Sequence, residues 1–283
     1  MSATGVPSAD EVAAYYDVMS PLLRLVWGDN FHFGYWEDEN DDSGDEEAAD
    51  RLTRLLIGKL APGPGERVLD VGCGVGVPGL RLAELTGADV LGISVNREQV
   101  HEANRRAGEA GLQERARFAY ADAMDLPHPD ASFDAVFALE VFVHLDRPRA
   151  LRECVRVLRP GGRLVLTDLL LRGEIAPELA DGVHQGLTAQ LLAPLPTFDD
   201  YRAMAGAAGL TVDELTDLTD RTHRTLLRIA ASVDDHLQEI EERYGEQAGT
   251  IAAAMRSPLQ LRPEFGYQFL LAHKPAAASA SAS

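Results

Sequence analysis

Cysteine is scarce. The 283-residue chain has two, Cys73 and Cys154. Two cysteines make neither a disulfide framework nor a four-ligand zinc site, and a reducing cytoplasm is the expected setting. Positive charge is also short. Lys and Arg number 26 against 45 Asp and Glu, for a net charge of −19. Such a surface repels phosphate backbones and no basic patch offsets it, so no nucleic-acid partner is expected. No apolar run approaches the roughly 18 residues of a membrane span, so no membrane association is expected. Met1 to Asp10 offers no basic or apolar region of the kind a secretion signal needs. What is present is a chain 46% hydrophobic, long enough for a substantial core. Nothing in the composition decides between a monomer and a homodimer.

The ends are of low complexity, and the tail over 273–283 is expected to be disordered. Glu37 to Asp50 carries nine acidic residues. It reads as a solvated loop feeding a helix N-terminus, where negative charge is favourable. A hard-cation loop wants acids at alternate positions around a Gly turn, and this run lacks that pattern, so no metal is expected.

From Glu66 to Asp168 short apolar runs alternate with helical patterns. Strands are predicted over 67–71, 88–93, 116–120, 133–139 and 163–168. Helices are predicted over 77–85, 96–110 (capped by Asn96) and 147–158 (capped by Asp146), with a turn at Arg159-Pro-Gly-Gly162. This alternation implies βαβ units and an α/β, doubly wound, mostly parallel sheet. Ligands in such sheets sit beyond the carboxyl ends of the strands. Residues 172–197 then read as a lid or mobile loop, 198–208 as a helix, 210–218 as a strand, 222–255 as a long polar helical stretch and 263–272 as the last strand. The expected division is an N-terminal helical and aromatic arm (1–60), a cofactor-binding core (61–170) and a lid with covering helices and last strands (171–272).

The segment Val68-Leu-Asp-Val-Gly-Cys-Gly-Val-Gly76 is the most informative. A strand ends in an acid, three glycines alternate, and a helix starts. Glycines let a ligand approach the backbone where a Cβ would clash. Gly74-x-Gly-x-x-Gly79 also fits the dinucleotide fingerprint. Against that reading, Asp70 would repel a pyrophosphate, and Ser94 stands where the ribose-binding acid is expected. An acid at this place suits a positively charged ligand, such as the amino group and sulfonium of S-adenosylmethionine.

Four motifs in order, Leu69-Asp-Val-Gly-Cys-Gly-Val-Gly76, Ile93-Ser94, Ala121-Asp-Ala-Met-Asp-Leu-Pro127 and Leu158-Arg-Pro-Gly-Gly162, resemble those of class I S-adenosylmethionine-dependent methyltransferases. Tyr15-Tyr-Asp17 and His32-Phe-Gly-Tyr-Trp36 are similar to the small-molecule methyltransferases of secondary metabolism, the group of the rebeccamycin sugar O-methyltransferase. The resemblance implies a seven-stranded Rossmann-like sheet with an N-terminal arm and a lid. It places Asp70, Gly72, Gly74 and Gly76 on the methionine part, Asp122, Ala123 and Met124 with Leu139 around the adenine, and Tyr16 and His32 at the cofactor carboxylate. Ser94 departs from the commonest pattern, an acid. With Asn96 and Gln99 it is expected to serve the ribose hydroxyls instead, since a hydroxyl can both donate and accept.

Seven of the 18 aromatics lie in the first 36 residues. That density exceeds what a solvated arm tolerates, so the arm must pack on the domain as ordinary core or as a cover that excludes water. For the reaction, methyl transfer to a hydroxyl benefits from a base, because a neutral alcohol is a weak nucleophile. His144 lies just beyond the fourth strand and Asp168 ends the fifth. A His144–Asp168 pair would give a base with raised pKa and fixed tautomer. The resembled sugar methyltransferase has two adjacent histidines here, whereas this chain has Val143 before His144.

Leu187, Leu191, Leu192 and Leu195 beside His184, Gln185 and Thr188 suit a bulky, mostly apolar acceptor with a few polar anchors, such as an antibiotic-type aglycone or glycoside. An O-methyltransferase of a small-molecule natural product is the first expectation. N- or C-methyl transfer, and a cyclase that keeps the fold, stay open at this point.

Overall fold

The computed structural model describes residues 5–256 and 262–276. Two helices lead, α1 (Ala9–Trp27) and α2 (Asp45–Leu60). The alternating segment follows: β1 (Arg67–Val71), α3 (Val77–Thr86), β2 (Asp89–Ser94), α4 (Arg97–Glu109), β3 (Ala116–Tyr120), β4 (Phe133–Ala138), α5 (Arg147–Val157) and β5 (Leu158–Leu171). The remainder comprises α6 (Pro177–Ala189), α7 (Phe198–Ala208), β6 (Thr211–Asp217), short α8 (Thr219–Thr222), α9 (Arg224–Asp235), α10 (Leu237–Tyr244), α11 (Ala248–Met255) and β7 (Phe265–His273).

One seven-stranded sheet results, in the order β3-β2-β1-β4-β5-β7-β6. The first five strands are parallel, and β7 runs antiparallel between β5 and β6. This is the expected doubly wound fold. Its central strands are apolar on both faces because helices cover both. Val68, Ala135, Phe137 and Val165 face α2, α3 and α4. Their neighbours Leu69, Val136 and Leu164 face α5 and α7. Each fully buried aliphatic side chain contributes about 1.5–3 kcal/mol. A third apolar cluster joins Leu22 and Val26 of α1 to Ile229, Val233 and Ile240 of α9 and α10.

Helix starts follow local chemistry. Ser8 and Glu11 form a capping box for α1, and Asn96 and Asp146 cap α4 and α5 through the backbone N–H groups of Gln99 and Arg149. The acidic run feeds α2, whose first turn holds Asp45, Glu46 and Glu47.

Several boundaries differ from expectation. No turn interrupts 159–162, since Gly161 and Gly162 exchange backbone hydrogen bonds with Lys274 and extend the ladder. At its other end β5 runs past Asp168 to Leu171, because β7 stays paired with it as far as Phe265. The stretch 222–255 is three helices, broken at His236 and at Gly245, whose φ is +52°. Residues 172–197 contain α6. His273 belongs to β7, and Lys274 Nζ donates to the Val155 and Leu158 carbonyls, so these two residues are held in place, contrary to expectation. Residues 277–283 lie outside the described residues. Among the described residues no helix is long and apolar enough to cross a membrane.

Candidate active site

The strand order reverses between β1 and β4, and the sheet opens a crevice there. A cavity with about 760 Å³ of empty space lies at these strand ends. Gly72 and Gly74 form part of its wall, with φ of +72° and +51°. A Cβ on Gly72 would stand 2.4 Å from the Val141 side chain, so this position excludes larger residues. Gly76 is different. It packs against Ala103 and Phe118 at the start of α3 and lies off the cavity wall.

Asp70 stands behind the glycines, 2% exposed, with an Oδ2 that has no hydrogen-bond partner. Burial pushes its carboxyl up to about 7. A cationic group near it would restore the charge. At the end of β2, Ser94 Oγ donates to Gln99 Oε1 at 3.0 Å and accepts from Asn96 N at 3.0 Å. Both Ser94 and Gln99 line the cavity. Asn96 instead ties α1 to the sheet, its Nδ2 donating to Ala13 O at 3.1 Å and Asp17 Oδ1 at 2.7 Å. Asp122 lines the cavity beyond β3 and accepts from Met124 N at 2.8 Å. Ala123, Met124 and Leu139 add an apolar slot beside it.

His32 takes no part in this wall. Its Nδ1 donates to Phe33 O at 2.9 Å and its Nε2 accepts from Thr53 Oγ1 at 3.1 Å. Burial lowers its pKa to about 4. A histidine satisfied on both nitrogens inside the core is the plain alternative for this residue.

A second cavity, with about 770 Å³ of empty space, adjoins the first. Tyr16, Phe31, Glu140 and His144 line both. Tyr15, Trp27, Leu192, Leu226 and Ile229 give it a largely apolar wall. Leu187 and Leu195 are buried as expected, but His184 and Gln185 face solvent. The polar groups of this cavity come from the shared wall and from Gln190 instead.

His144 closes a 3-10 turn after β4 and is 6% exposed. Its Nδ1 lies 2.9 Å from the Leu191 carbonyl and its Nε2 lies 3.0 Å from the Tyr16 hydroxyl. A carbonyl can only accept, so Nδ1 carries the proton and the Nε2 lone pair accepts from Tyr16. Burial lowers the His144 pKa, and the Arg147 charge adds to that against the pull of Asp168. The ring is therefore a neutral imidazole, with its pKa moved opposite to expectation. The reason is that Asp168 does not pair with it. Asp168 Oδ2 accepts from Arg147 Nε at 2.6 Å and from the Tyr201 hydroxyl.

Two participants have no signature in the local sequence. Glu140 has φ +51°, a left-handed conformation unusual for its type, and its Oε1 accepts from Phe33 N and, at 2.6 Å, from the Tyr267 hydroxyl. Apolar surroundings push its carboxyl up to about 8. Tyr267 in turn stacks on Phe33, centroids 4.7 Å apart. Sequence reasoning missed both, since the partners come from distant segments.

The first cavity fits a nucleoside, with a glycine wall open to backbone contact, a hydroxyl–amide pair and an apolar slot. Behind the glycines and off the wall itself, Asp70 offers a buried carboxyl whose Oδ2 lacks a partner and suits a positive charge. Among the described residues no cluster of His, Cys, Asp or Glu could hold a metal ion. Such a site on a sheet of this order defines a class I S-adenosylmethionine-dependent methyltransferase. Residues 69–166 match the methyltransferase domain family. Over 267 residues the chain is 40% identical to methyltransferase GfsG of Streptomyces halstedii, with 94% of each chain covered. It is 37% identical over 270 residues to 27-O-demethylrifamycin SV methyltransferase of Amycolatopsis mediterranei, covering 95% of this chain and 98% of that one. The crystal structure of the [4+2]-cyclase SpnF is 34% identical with a TM-score of 0.84, covering 96% and 98% of the two chains. The chain belongs to the S-adenosylmethionine-dependent methyltransferase family.

Proposed function

We propose that the chain is an O-methyltransferase acting on a bulky, mostly apolar natural product through one of its hydroxyl groups. One observation carries this reading. The Nε2 lone pair of a neutral histidine stands on the wall that the two cavities share. The rifamycin-type relative, named for O-methylation, supports the same acceptor class.

When bound, S-adenosylmethionine supplies an electrophilic methyl group on a sulfonium. Gly72 and Gly74 would admit the methionine backbone, Ser94 and Gln99 would hold the ribose, Asp122 with Met124 would receive the adenine, and the buried Asp70 behind the glycines would balance the positive end. Tyr16 covers both cavities from α1. Its hydroxyl occupies Nε2 until an acceptor hydroxyl displaces it. The acceptor proton would pass to Nε2 as its oxygen bonds the methyl carbon and the methyl–sulfur bond breaks, its electron pair staying on sulfur as a neutral thioether, and the Nδ1–H bond to Leu191 would steady the imidazolium. Orientation between the two cavities supplies much of the rate. A glycoside hydroxyl, suggested by the likeness to the rebeccamycin sugar O-methyltransferase, belongs to the same reading. So does a cytoplasmic setting, supported by two free, buried cysteines.

Incubation with S-adenosylmethionine and bulky hydroxyl acceptors, O-demethylated rifamycins among them, tests this. The expected product is heavier by one CH2 unit and carries an O-methyl signal by NMR. The likeness to the cyclase favours one second reading, in which an acceptor is rearranged at constant mass. An isomer in place of a methylated product would establish it.

A further inference from the structure

A buried charge cluster stands beside the site and takes no part in the chemistry above. Arg147 and Asp168 are 4% and 0% exposed. Besides the Arg147 Nε and Tyr201 bonds, Asp168 Oδ1 accepts from Arg147 Nη2 at 3.2 Å and from Leu169 N at 2.8 Å. Buried ion pairs are weak sources of stability, because desolvation offsets much of the attraction. The remaining arm of Arg147 shows where this one acts. Its Nη1 donates to the Pro194 carbonyl at 2.9 Å.

Pro194 ends a short segment laid across the His144 turn. Ala193 N donates to Val143 O at 2.7 Å, and Leu191 O accepts from His144 Nδ1. Leu191 has φ +53°, a conformation that leucine keeps only where its surroundings impose it. We infer that Arg147, Asp168 and Tyr201 form a brace that holds the Leu191 carbonyl against His144 and so keeps the ring proton on Nδ1. They are positioning residues for the base. Without the brace, residues 191–194 relax and the neutral ring can carry its proton on Nε2, where it cannot accept one from the acceptor. The charged and titratable groups around His144 are Tyr16 from α1, Glu140 from the preceding turn, Arg147 from α5 and Asp168 from β5. Removing Arg147 and Asp168 together leaves the net charge there unchanged.

The role of the brace in turnover rests on His144 acting as the base. The test replaces the pair with apolar residues, Arg147→Met with Asp168→Leu, and reads the His144 tautomer by nitrogen NMR. The unaltered protein should show Nδ1–H. The double variant should show a mixed or Nε2–H ring, a kcat lower by roughly 10–100-fold and unchanged cofactor affinity by calorimetry. On a His144→Ala background the same two changes should cost nothing more. A retained Nδ1–H ring, or losses that multiply with His144→Ala, would overturn the brace. Should the double variant not fold, Tyr201→Phe keeps the ion pair and carries the same readout. Partial loss of Nδ1–H supports the inference, and an unchanged ring defeats it. A His144→Ala enzyme that loses less than tenfold would sink the base reading alone, since the tautomer still decides the brace.

Discussion

The two cavities are built in opposite ways. The first takes much of its wall from short loops at the ends of β1 to β4, set by neighbouring strands of one ladder. The second is assembled from α1, the loop at 31–33, the segment 190–192, α9 and α11. Those pieces meet only through tertiary packing. On the proposed assignment, the difference teaches that a cofactor site can be held by the sheet while the acceptor site is free to vary around it. The residues common to both, above all His144 and Glu140, are where the two must agree.

The sharpest way to break this division is at the common wall. His144→Ala should lower kcat by roughly 10²–10⁴, the worth of a positioned general base. Cofactor affinity, read by calorimetry, should stay within about twofold. Because burial lowers the His144 pKa, the acid limb of the kcat profile should lie below that of a free imidazole. A limb above it would return Asp168 to the role of direct partner.

Buried acids set a second test, in stability against pH. Asp70 and Glu140 have folded-state pKa values raised to about 7 and about 8. The folded state thus holds protons that the unfolded chain releases, and stability falls as pH rises from about 4 to 8. The combined loss should be on the order of 2–4 kcal/mol. A tenfold change in proton affinity is worth about 1.4 kcal/mol, and relaxation around the buried carboxylates recovers part of the total. Thermal melts without ligand should show it. S-adenosylmethionine should flatten the Asp70 share and leave that of Glu140. Melts rising with pH over this range would refute it.

Asp70→Asn confines the damage to the sheet-built side. Binding of S-adenosylmethionine should weaken by about 1.5–3 kcal/mol, the worth of a charged hydrogen bond. An unchanged dissociation constant would remove Asp70 from the cofactor's surroundings. On the packed side, Leu226→Ala should raise the acceptor KM by about tenfold, from roughly 1–2 kcal/mol of lost apolar contact. Cofactor binding should not move. If it weakened equally, the two regions would be one.

Legibility from sequence follows the same line. The strand–glycine–helix unit at 67–86 is local, so spacing exposes it, with Ser94 and Asp122 following at the next strand ends. His144 is visible for the same reason. Glu140 is not, since its partners Phe33 and Tyr267 are 107 and 127 positions away. Asp168 is visible as a strand-end acid, but its partner is not the histidine that strand order suggests. Arg147, three residues after His144 in the first turn of α5, supplies a permanent charge that outcompetes a neutral imidazole for a buried carboxylate. A cation so close to the candidate base is the signal that sequence offers. The break of 222–255 into three helices is obscured because its polar faces carry helical periodicity throughout.

The placement of β7 has a consequence for how the chain is made. On a ribosome, β1 to β5 can pair as they emerge, each beside strands already present. Among the described strands β6 pairs only with β7, through Gln268 to His273, so it must wait until the chain has been extended through His273. During that wait the leucine-rich edge of β5, Leu164 to Leu171, is uncovered on the side that β7 will occupy. An open apolar edge invites pairing with another nascent chain. Shortened forms lacking residues 265–273 should therefore collect in the insoluble fraction rather than as a cofactor-binding fragment. Co-expressed chaperones should improve the yield of the full chain by shielding that edge until the last strand arrives.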